Sequence, residues 1–499
     1  MRQPISFSMN PFEPIIPLPE LTPDEYVNSF DEAFELAPLK PRGGPRVAAL
    51  LERRVTDARR RWSAAAPGTE NAALNSVRER GVGIVGAGLM GISIAAAFVN
   101  AEITVLSCDK IAVARENAPG RVAEELETLR RNRVGVDASK DRKSEDLVAQ
   151  YFRTTDALAE VATLPVVIEA IPEKTRLKQV LYRQLEANAK AKLPLFTNTS
   201  SLTIEELSAT LPREDEDKHT SASRLTSFHF FHPAAKRQPV EIAVGSSATP
   251  ETIAQAVALT RLIGKKPMVV GDGPGFLVNR ILQTYLNEAL VALDEGSSPA
   301  AIENAARRFG MEGAPLRVID EIGVDVTMHS GASFLKAFPD RLGVSEILME
   351  LVRRDYLGRK TKHGFYRYAS QSSWAEDATL SLTRAEIDEL LGPRNSAAPE
   401  TPEEFHTEEA LALRFAIAMF FEAFRIVEDG IVGSLRESDA ALVEALGFPA
   451  EKGGVCYWAF SFGVEKILAV AKKFEVLGPR FKAPELLIEV AARLRKSTS

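Results

Sequence analysis

From Val82 onward, short apolar runs rich in β-branched residues alternate with longer amphipathic stretches. Such runs, bounded by polar or turn-forming positions, read as strands, and their alternation with helical periods is the pattern of a parallel sheet covered by helices. Strands are predicted at Val82–Val85, Ile103–Cys108, Phe152–Thr154, Val166–Ile171, Leu193–Thr197, Leu225–Phe230, Val240–Val244 and Pro267–Val270. The long charged segment from Ile111 to Gln150 predicts a helical excursion between strands, and the acid-rich stretch from Pro212 to Ser223 a solvated loop. After Gly275 the strand pattern fades. In PGFLVNRILQTYLNEALVALDEG the apolar positions recur at three and four, so a helical region begins there.

That helical region contains an echo of itself. Asn287–Gly296 (NEALVALDEG) recurs as Phe421–Gly430 (FEAFRIVEDG), and the turn at Phe309–Gly313 is echoed by Gly447–Gly453 at nearly the same offset. The chain is therefore divided into a partly helical extension (1–80), a sheet domain (81–272), a first helical copy (273–370), a linker with its own short helix (371–404) and a second copy (405–499). Within the extension, a helical stretch from Arg46 to Trp62 carries Arg53, Arg54, Arg59, Arg60 and Arg61. Interspersed Glu52 and Asp57 make it a solvated face rather than a docking site, and it is assigned no function.

With 499 residues, 45% of them hydrophobic and 26% charged, the chain can bury a large core. Its formal charge of -7 lacks the positive field that nucleic acids require. The two cysteines, Cys108 and Cys456, stand too far apart to suggest a disulfide framework or a metal-binding pair, so no metal is expected. No apolar run approaches the ~20 residues that span a bilayer. Neither end resembles a targeting signal, which makes the cytoplasm the default location.

Strand, glycine-rich turn and helix follow one another as Val82–Val85, Gly86-Ala-Gly88-Leu89-Met90-Gly91 and Ile92–Asn100. In that setting the first glycine permits a tight turn, the second lets a pyrophosphate approach the backbone, and the third allows helix and strand to pack closely. The helix N-terminus then favours an anion. The next strand ends at Asp109, 18 residues after Gly91, where a carboxylate can accept both ribose hydroxyls. Together these predict a Rossmann-type dinucleotide site. Asp109 would repel a 2′-phosphate and so favours NAD over NADP, with neighbouring Lys110 pulling the other way.

From about Gly81 to its end the sequence resembles the 3-hydroxyacyl-CoA dehydrogenase family, and more closely the dehydrogenase part of the multifunctional fatty-acid oxidation proteins. The phrases that carry the resemblance are GAGLMG, VIEAIPEKTRLKQ (Val167–Gln179), TNTSSL (Thr197–Leu202), HFFHP (His229–Pro233), PVEI (Pro239–Ile242), GDGPGFLVNR (Gly271–Arg280) and GRKTKHGFYRY (Gly358–Tyr368). The multifunctional proteins also carry a second helical copy with a phrase like Gly447-Phe448-Pro449 and Lys452-Gly453-Gly454. Residues 1–80 show no hydratase-like glycine pattern, so hydratase activity is not expected.

Oxidising a secondary alcohol needs a base for the hydroxyl proton while hydride leaves carbon, and imidazole suits that role. His229, near the end of its predicted strand, is the candidate, and Glu241 on the returning strand could pair with it. From the residues alone, a histidine in an aromatic strand reads more readily as core; the resemblance implies the catalytic dyad directly. Ser200 is either a helix N-cap or a donor to substrate, and the resemblance places it beside the substrate hydroxyl with Asn279 close to the same centre, suited to polarising the developing ketone. The resemblance also implies that Ala170, Glu173 and Lys178 line the nicotinamide side of the site; the bland alternative is a surface Glu–Lys pair on a helix.

Two departures from the family's pattern stand out. His232 replaces the usual Asn after the two aromatics, and Glu312-Gly-Ala-Pro315 replaces the usual Met-Gly-Pro, which leaves acyl-chain preference open. Lys236 and Arg237 could meet CoA phosphates or simply be solvated loop charges. The expected reaction is oxidation of an L-3-hydroxyacyl-CoA to the 3-ketoacyl-CoA in β-oxidation. The alternatives are a dehydrogenase confined to 3-hydroxybutyryl-CoA or a related short hydroxy acid, and a non-catalytic NAD- or CoA-binding or structural relative. A monomer or weak dimer is expected, because the second copy would cover a dimerisation face, and a separate hydratase or thiolase stays open as a partner.

Overall fold

The computed structural model describes residues 11, 69–132, 142–189, 192–211, 221–370, 378–392 and 401–497. The arginine-rich stretch at 46–62 and most of the acid-rich loop fall outside them. The described residues from 69 to 276 form one compact unit and those from Leu277 another.

The first unit is built on a six-stranded parallel sheet in the order β3-β2-β1-β4-β5-β6. The strands are β1 (Val82–Val85), β2 (Val105–Cys108), β3 (Phe152–Thr155), β4 (Val167–Glu169), β5 (Leu195–Thr197) and β6 (Leu225–Ser227). All of β1, β4, β5 and β6 is buried, which is why these strands read as unbroken apolar runs rather than alternating ones. Preceding β1, helix α1 (Thr69–Arg80) packs Leu74 and Val77 on the sheet core. Helix α2 (Leu89–Asn100) follows β1 and is buried from Gly91 to Asn100. The excursion predicted between β2 and β3 consists of α3 (Ala112–Asn132) and α4 (Ser144–Tyr151). Helix α5 (Leu158–Val161) precedes β4, α6 (Thr175–Asn188) follows it, and the short α7 (Ile204–Ser208) follows β5.

The run Leu225–Phe230, predicted as one strand, is two. Its chain breaks at Phe228: β6 pairs parallel with β5, whereas β7 (His229–Phe230) pairs antiparallel with β8 (Pro239–Val244) in a second sheet, order β7-β8-β9, completed by β9 (Lys266–Gly271) after helix α8 (Pro250–Leu262). The Phe228 N–H still donates to the Thr197 carbonyl at 2.7 Å, and its ring stacks on Phe196 at 5.7 Å. Every residue of the run is buried, so hydrophobicity carries no mark of the handover between sheets.

The second unit is helical. Helices α9 (Val278–Glu295), α10 (Pro299–Phe309), α11 (Pro315–Ile322), α12 (Val324–Ala337) and α13 (Glu346–Arg353) make one run. Helices α15 (Glu408–Glu428), α16 (Leu435–Ala441), α17 (Val455–Phe462), α18 (Val464–Phe474) and α19 (Glu485–Ser497) make another. Between them the expected linker helix is α14 (Arg384–Leu391), and the preceding β11 (Ala378–Leu380) pairs antiparallel with β10 (Tyr366–Tyr368).

The two runs correspond at several positions. Gly323 joins α11 to α12 at φ 108°, ψ 128°, and Gly463 joins α17 to α18 at φ 95°, ψ 120°, a backbone region that strongly favours glycine. Glu303 on α10 accepts the Leu316 N–H at the start of α11, and Asp439 on α16 accepts those of Cys456 and Tyr457 at the start of α17. Most telling is a reciprocal exchange of buried charges. Arg280 on α9 donates to Glu422 on α15 and to Asp429 at its C-cap at 2.6 and 2.8 Å, while Arg414 on α15 donates to Glu288 and Glu295 on α9 at 2.7 and 2.6 Å. Arg341 joins the first set and Arg480 the second. The arrangement is that of an isologous interface written into one chain.

Candidate active site

The glycine-rich turn can be tested atom by atom. A Cβ on Gly86 (φ 108°) would lie 2.5 Å from the Ala170 carbonyl oxygen, and one on Gly91 only 1.9 Å from that of Gly86. These two positions are closed by the protein's own backbone. A Cβ on Gly88 would meet nothing within 4 Å. Gly88 is also the N-cap of α2 with no side-chain cap, and the first turn, Leu89-Met90-Gly91, carries no acid, so its amides face outward without an internal partner of that kind. Tight turn, open approach and close helix–strand packing thus fall at the three glycines in the order a pyrophosphate site requires.

Asp109 ends this half of the site. Its Oδ2 accepts the Ala87 N–H at 2.8 Å and its Oδ1 the Ile111 N–H at 2.9 Å, so the carboxylate ties the glycine turn to the end of β2. Arg115 donates to its carbonyl at 2.7 Å.

At the ends of β4 and β5 lies a buried ionic network. Glu169, the last residue of β4, accepts Lys178 Nζ at 2.7 and 2.9 Å, Tyr182 Oη and Thr197 Oγ1 at 2.7 Å each, and the Ile171 N–H at 2.7 Å. Lys178 is 1% exposed and reaches Glu173 Oε2 at 3.2 Å as well. It is therefore no surface partner of Glu173. Glu173 Oε1 in turn collects the Thr199 hydroxyl, the Ser200 and Ser201 N–H groups and the Ser201 hydroxyl, all between 2.6 and 3.1 Å. Burial pushes Glu173 up, but Lys178 and the hydrogen bonds from Thr199 and Ser200 outweigh it and hold its carboxyl below the usual range.

This clamp fixes the loop that carries Ser200. Ser200 is not a helix cap: α7 is capped by the Thr203 side chain, and its Ile204 and Glu205 N–H groups are taken by the Asp272 carboxylate, both at 2.8 Å.

His229 and Glu241 stand directly opposite each other on β7 and β8. His229 Nδ1 lies 2.9 Å from Glu241 Oε2, with 4% and 0% of the two residues exposed. A carboxylate can only accept, so Nδ1 carries the hydrogen and Nε2 is left as the basic nitrogen. Phe231 contacts the ring edge-on at 4.6 Å. Two side chains that the sequence did not single out hold this hairpin. Asn198 Oδ1 accepts the Phe230 N–H at 2.8 Å, and buried Lys265 donates to the Ala234 and Arg237 carbonyls at 3.0 and 2.7 Å while lying over the Phe230 ring. Burial pushes the Lys265 ammonium down to about 7, against the pull of Glu125.

His232 is half-buried in the turn between β7 and β8, Lys236 is exposed and Arg237 half-buried. Asn279 lies in the first turn of α9, in the helical unit, and its neighbour Arg280 is committed to the buried charge exchange. Glu312 donates its N–H to the Gly447 carbonyl at 2.9 Å, so this departure sits where the two helical turns meet. Glu169, Thr197, Tyr182, Asn198, Asp272 and Lys265 were missed by sequence reasoning. For Glu169 a signal existed, a charge inside the apolar run VVIEAI; the others carry ordinary polar side chains whose partners lie far along the chain.

Two profiles match in tandem: 3-hydroxyacyl-CoA dehydrogenase, NAD binding domain, over residues 81–273, and 3-hydroxyacyl-CoA dehydrogenase, C-terminal domain, over 275–368. The solved (S)-3-hydroxybutyryl-CoA dehydrogenase of Ralstonia eutropha is 30% identical, with a TM-score of 0.51 over 58% of this chain and 99% of that one. The chain belongs to the 3-hydroxyacyl-CoA dehydrogenase family. The family is one of NAD-dependent oxidoreductases, and the cofactor is NAD; the open approach at Gly88 and the uncapped α2 fit it. The fatty acid oxidation complex subunit alpha of Acinetobacter baumannii is 28% identical over 422 residues, covering 83% of this chain and 55% of that protein. The chain thus spans about half the length of the curated relatives it matches. The 3-hydroxybutyryl-CoA dehydrogenase structure from Escherichia coli covers 84% of this chain and 99% of its own at 23% identity and a TM-score of 0.66, which extends the shared fold into the second helical run.

Proposed function

We propose that this family member oxidises L-3-hydroxyacyl-CoA to 3-ketoacyl-CoA as a step of fatty-acid β-oxidation. The observation that carries the reading is the buried His229–Glu241 pair in the same compact unit as the NAD-binding turn. NAD supplies the hydride acceptor, held by the Gly86–Gly91 turn and Asp109. His229 Nε2 takes the hydroxyl proton as hydride leaves the same carbon, and Glu241 stabilises the imidazolium that results. Ser200, on the loop clamped by Glu173, orients the hydroxyl. Acyl-CoA is the substrate class, with the relatives named for 3-hydroxybutyryl-CoA making a short chain the first one to try.

We also read the chain as a monomer, because the reciprocal Arg280–Glu422 and Arg414–Glu288 exchange already satisfies a two-fold interface. The test of function follows NADH absorbance with NAD and L-3-hydroxyacyl-CoAs of increasing length. Turnover is expected in the wild type, with kcat lower by about 10²–10⁴-fold in His229→Ala. Turnover untouched by that substitution overturns the base assignment. An inactive wild type that still binds NADH favours a non-catalytic relative.

A further inference from the structure

The network beneath the Ser200 loop has a definite charge. Glu169 receives five donor contacts, two of them from the Lys178 ammonium, and so stands as the carboxylate of a buried ion pair. Glu173 is held ionised by Lys178 and the loop donors. Lys178, clasped by both carboxylates, is the one cation among these groups, and Tyr182 stays neutral because burial beside Glu169 pushes its hydroxyl well up. Two carboxylates against one ammonium leave a net charge of minus one, and Glu173, with 30% of its side chain exposed, is the member that faces outward.

Its position matters because a dinucleotide on such a sheet lies along the carboxyl ends of the strands, one half on each side of the point where strand order reverses. Gly86–Gly91 and Asp109 fix the adenosine half at the ends of β1 and β2. The other half then runs over the ends of β4 and β5, where Glu173 and the loop Thr199–Ser201 sit. Oxidised nicotinamide carries a positive charge that the reduced ring lacks.

We propose that the Glu169–Lys178–Glu173 network discriminates between the two redox states of the cofactor, its uncompensated negative charge holding NAD⁺ and releasing NADH. Glu169 and Lys178 act through Glu173: they are positioning residues that set the charge count while never leaving the interior. The consequence for oxidation is direct, since the form that must load is attracted and the form that must leave is not. The inference rests on NAD binding in the manner given above.

The test needs no turnover. NADH affinity is measured by its fluorescence and NAD⁺ affinity by calorimetry on the full chain, and the ratio of the two dissociation constants is compared among variants. Glu173→Gln keeps the acceptor oxygen for the loop but brings the network to neutrality; NAD⁺ is expected to weaken about tenfold or more relative to NADH. Lys178→Gln makes the network more negative and is expected to move the ratio the opposite way. Should it fail to fold, the double variant Glu169→Gln/Lys178→Gln restores the original charge and is expected to restore the wild-type ratio. A folded Glu173→Gln in which both affinities fall together, or neither changes, overturns the proposal, because a purely structural clamp predicts that result. A wild type that binds neither form overturns the cofactor geometry itself and this inference with it.

Discussion

Glu169 and Glu241 are both carboxylates buried at strand positions, yet their partners give them different work. Glu169 is saturated by a lysine, two hydroxyls and an amide, so its charge is spent on holding Lys178 and the loop beyond it. Glu241 faces a histidine ring at 2.9 Å, a group whose charge changes during proton transfer. Replacing Glu241 by Gln keeps an oxygen for Nδ1–H but removes the countercharge of the imidazolium, so kcat should fall by about 10²-fold with KM little altered. An unchanged kcat in steady-state assays would remove Glu241 from the mechanism. Both residues stood in the sequence, but only the pairing of β7 with β8 shows which carboxylate reaches the histidine. Ser200, His229, Glu173 and Asp109 stand out by their motifs; Asn198 and Lys265 do not, because their partners are backbone groups that no motif displays.

At the scale of elements, the glycine turn separates folding from binding. Gly91→Ala places a methyl against the Gly86 carbonyl in a closed strand–helix junction, and overpacking of this kind costs about 1–3 kcal/mol. Gly88→Ala meets only open space, at a φ of -73° that alanine accepts. Thermal unfolding should therefore drop for Gly91→Ala and not for Gly88→Ala, while NADH titration should show weakened binding in the folded Gly88 variant. Equal stability loss in both would mean that the turn is packed differently. The same scale explains the one misread strand. Leu225–Phe230 is buried throughout, and the switch of sheets at Phe228 depends on which neighbours offer hydrogen bonds, namely Thr197 on one side and Val240 on the other.

The helical unit as a whole is governed by its buried charges. Arg414 is fully buried between Glu288 and Glu295, so Arg414→Met should cost about 3 kcal/mol, read as a lower urea midpoint, since it leaves these carboxylates with Arg480 as their remaining arginine. Burial pushes Glu288 up, but Arg480 and Arg414 hold its carboxyl below the usual range, so it stays charged throughout the neutral region. Asp439 and Asp320 behave oppositely. Burial raises each to about 7 despite their backbone hydrogen bonds, so the folded chain favours their protonated forms. Because the folded value exceeds the unfolded one, the stability they contribute is complete at acid pH and lost as pH rises through about 7. The melting temperature should accordingly decline between about pH 4 and 7 in the wild type, and Asp439→Asn should flatten that decline. A slope identical in the variant would show that Asp439 does not titrate in this range.

By itself the sequence determined the order of strands and helices, the cofactor turn, the family and the echo within the helical region. Each of these is written in short-range periodicity or in motifs whose glycines answer to local geometry. The tertiary structure decided the rest: the break at Phe228, the cap that Asp272 places on α7, the saturation of Glu169 and the reciprocal exchange between α9 and α15. These depend on hydrogen bonds and ion pairs between residues far apart in sequence, and a polar side chain looks the same along the chain whether its partner is water or a buried charge.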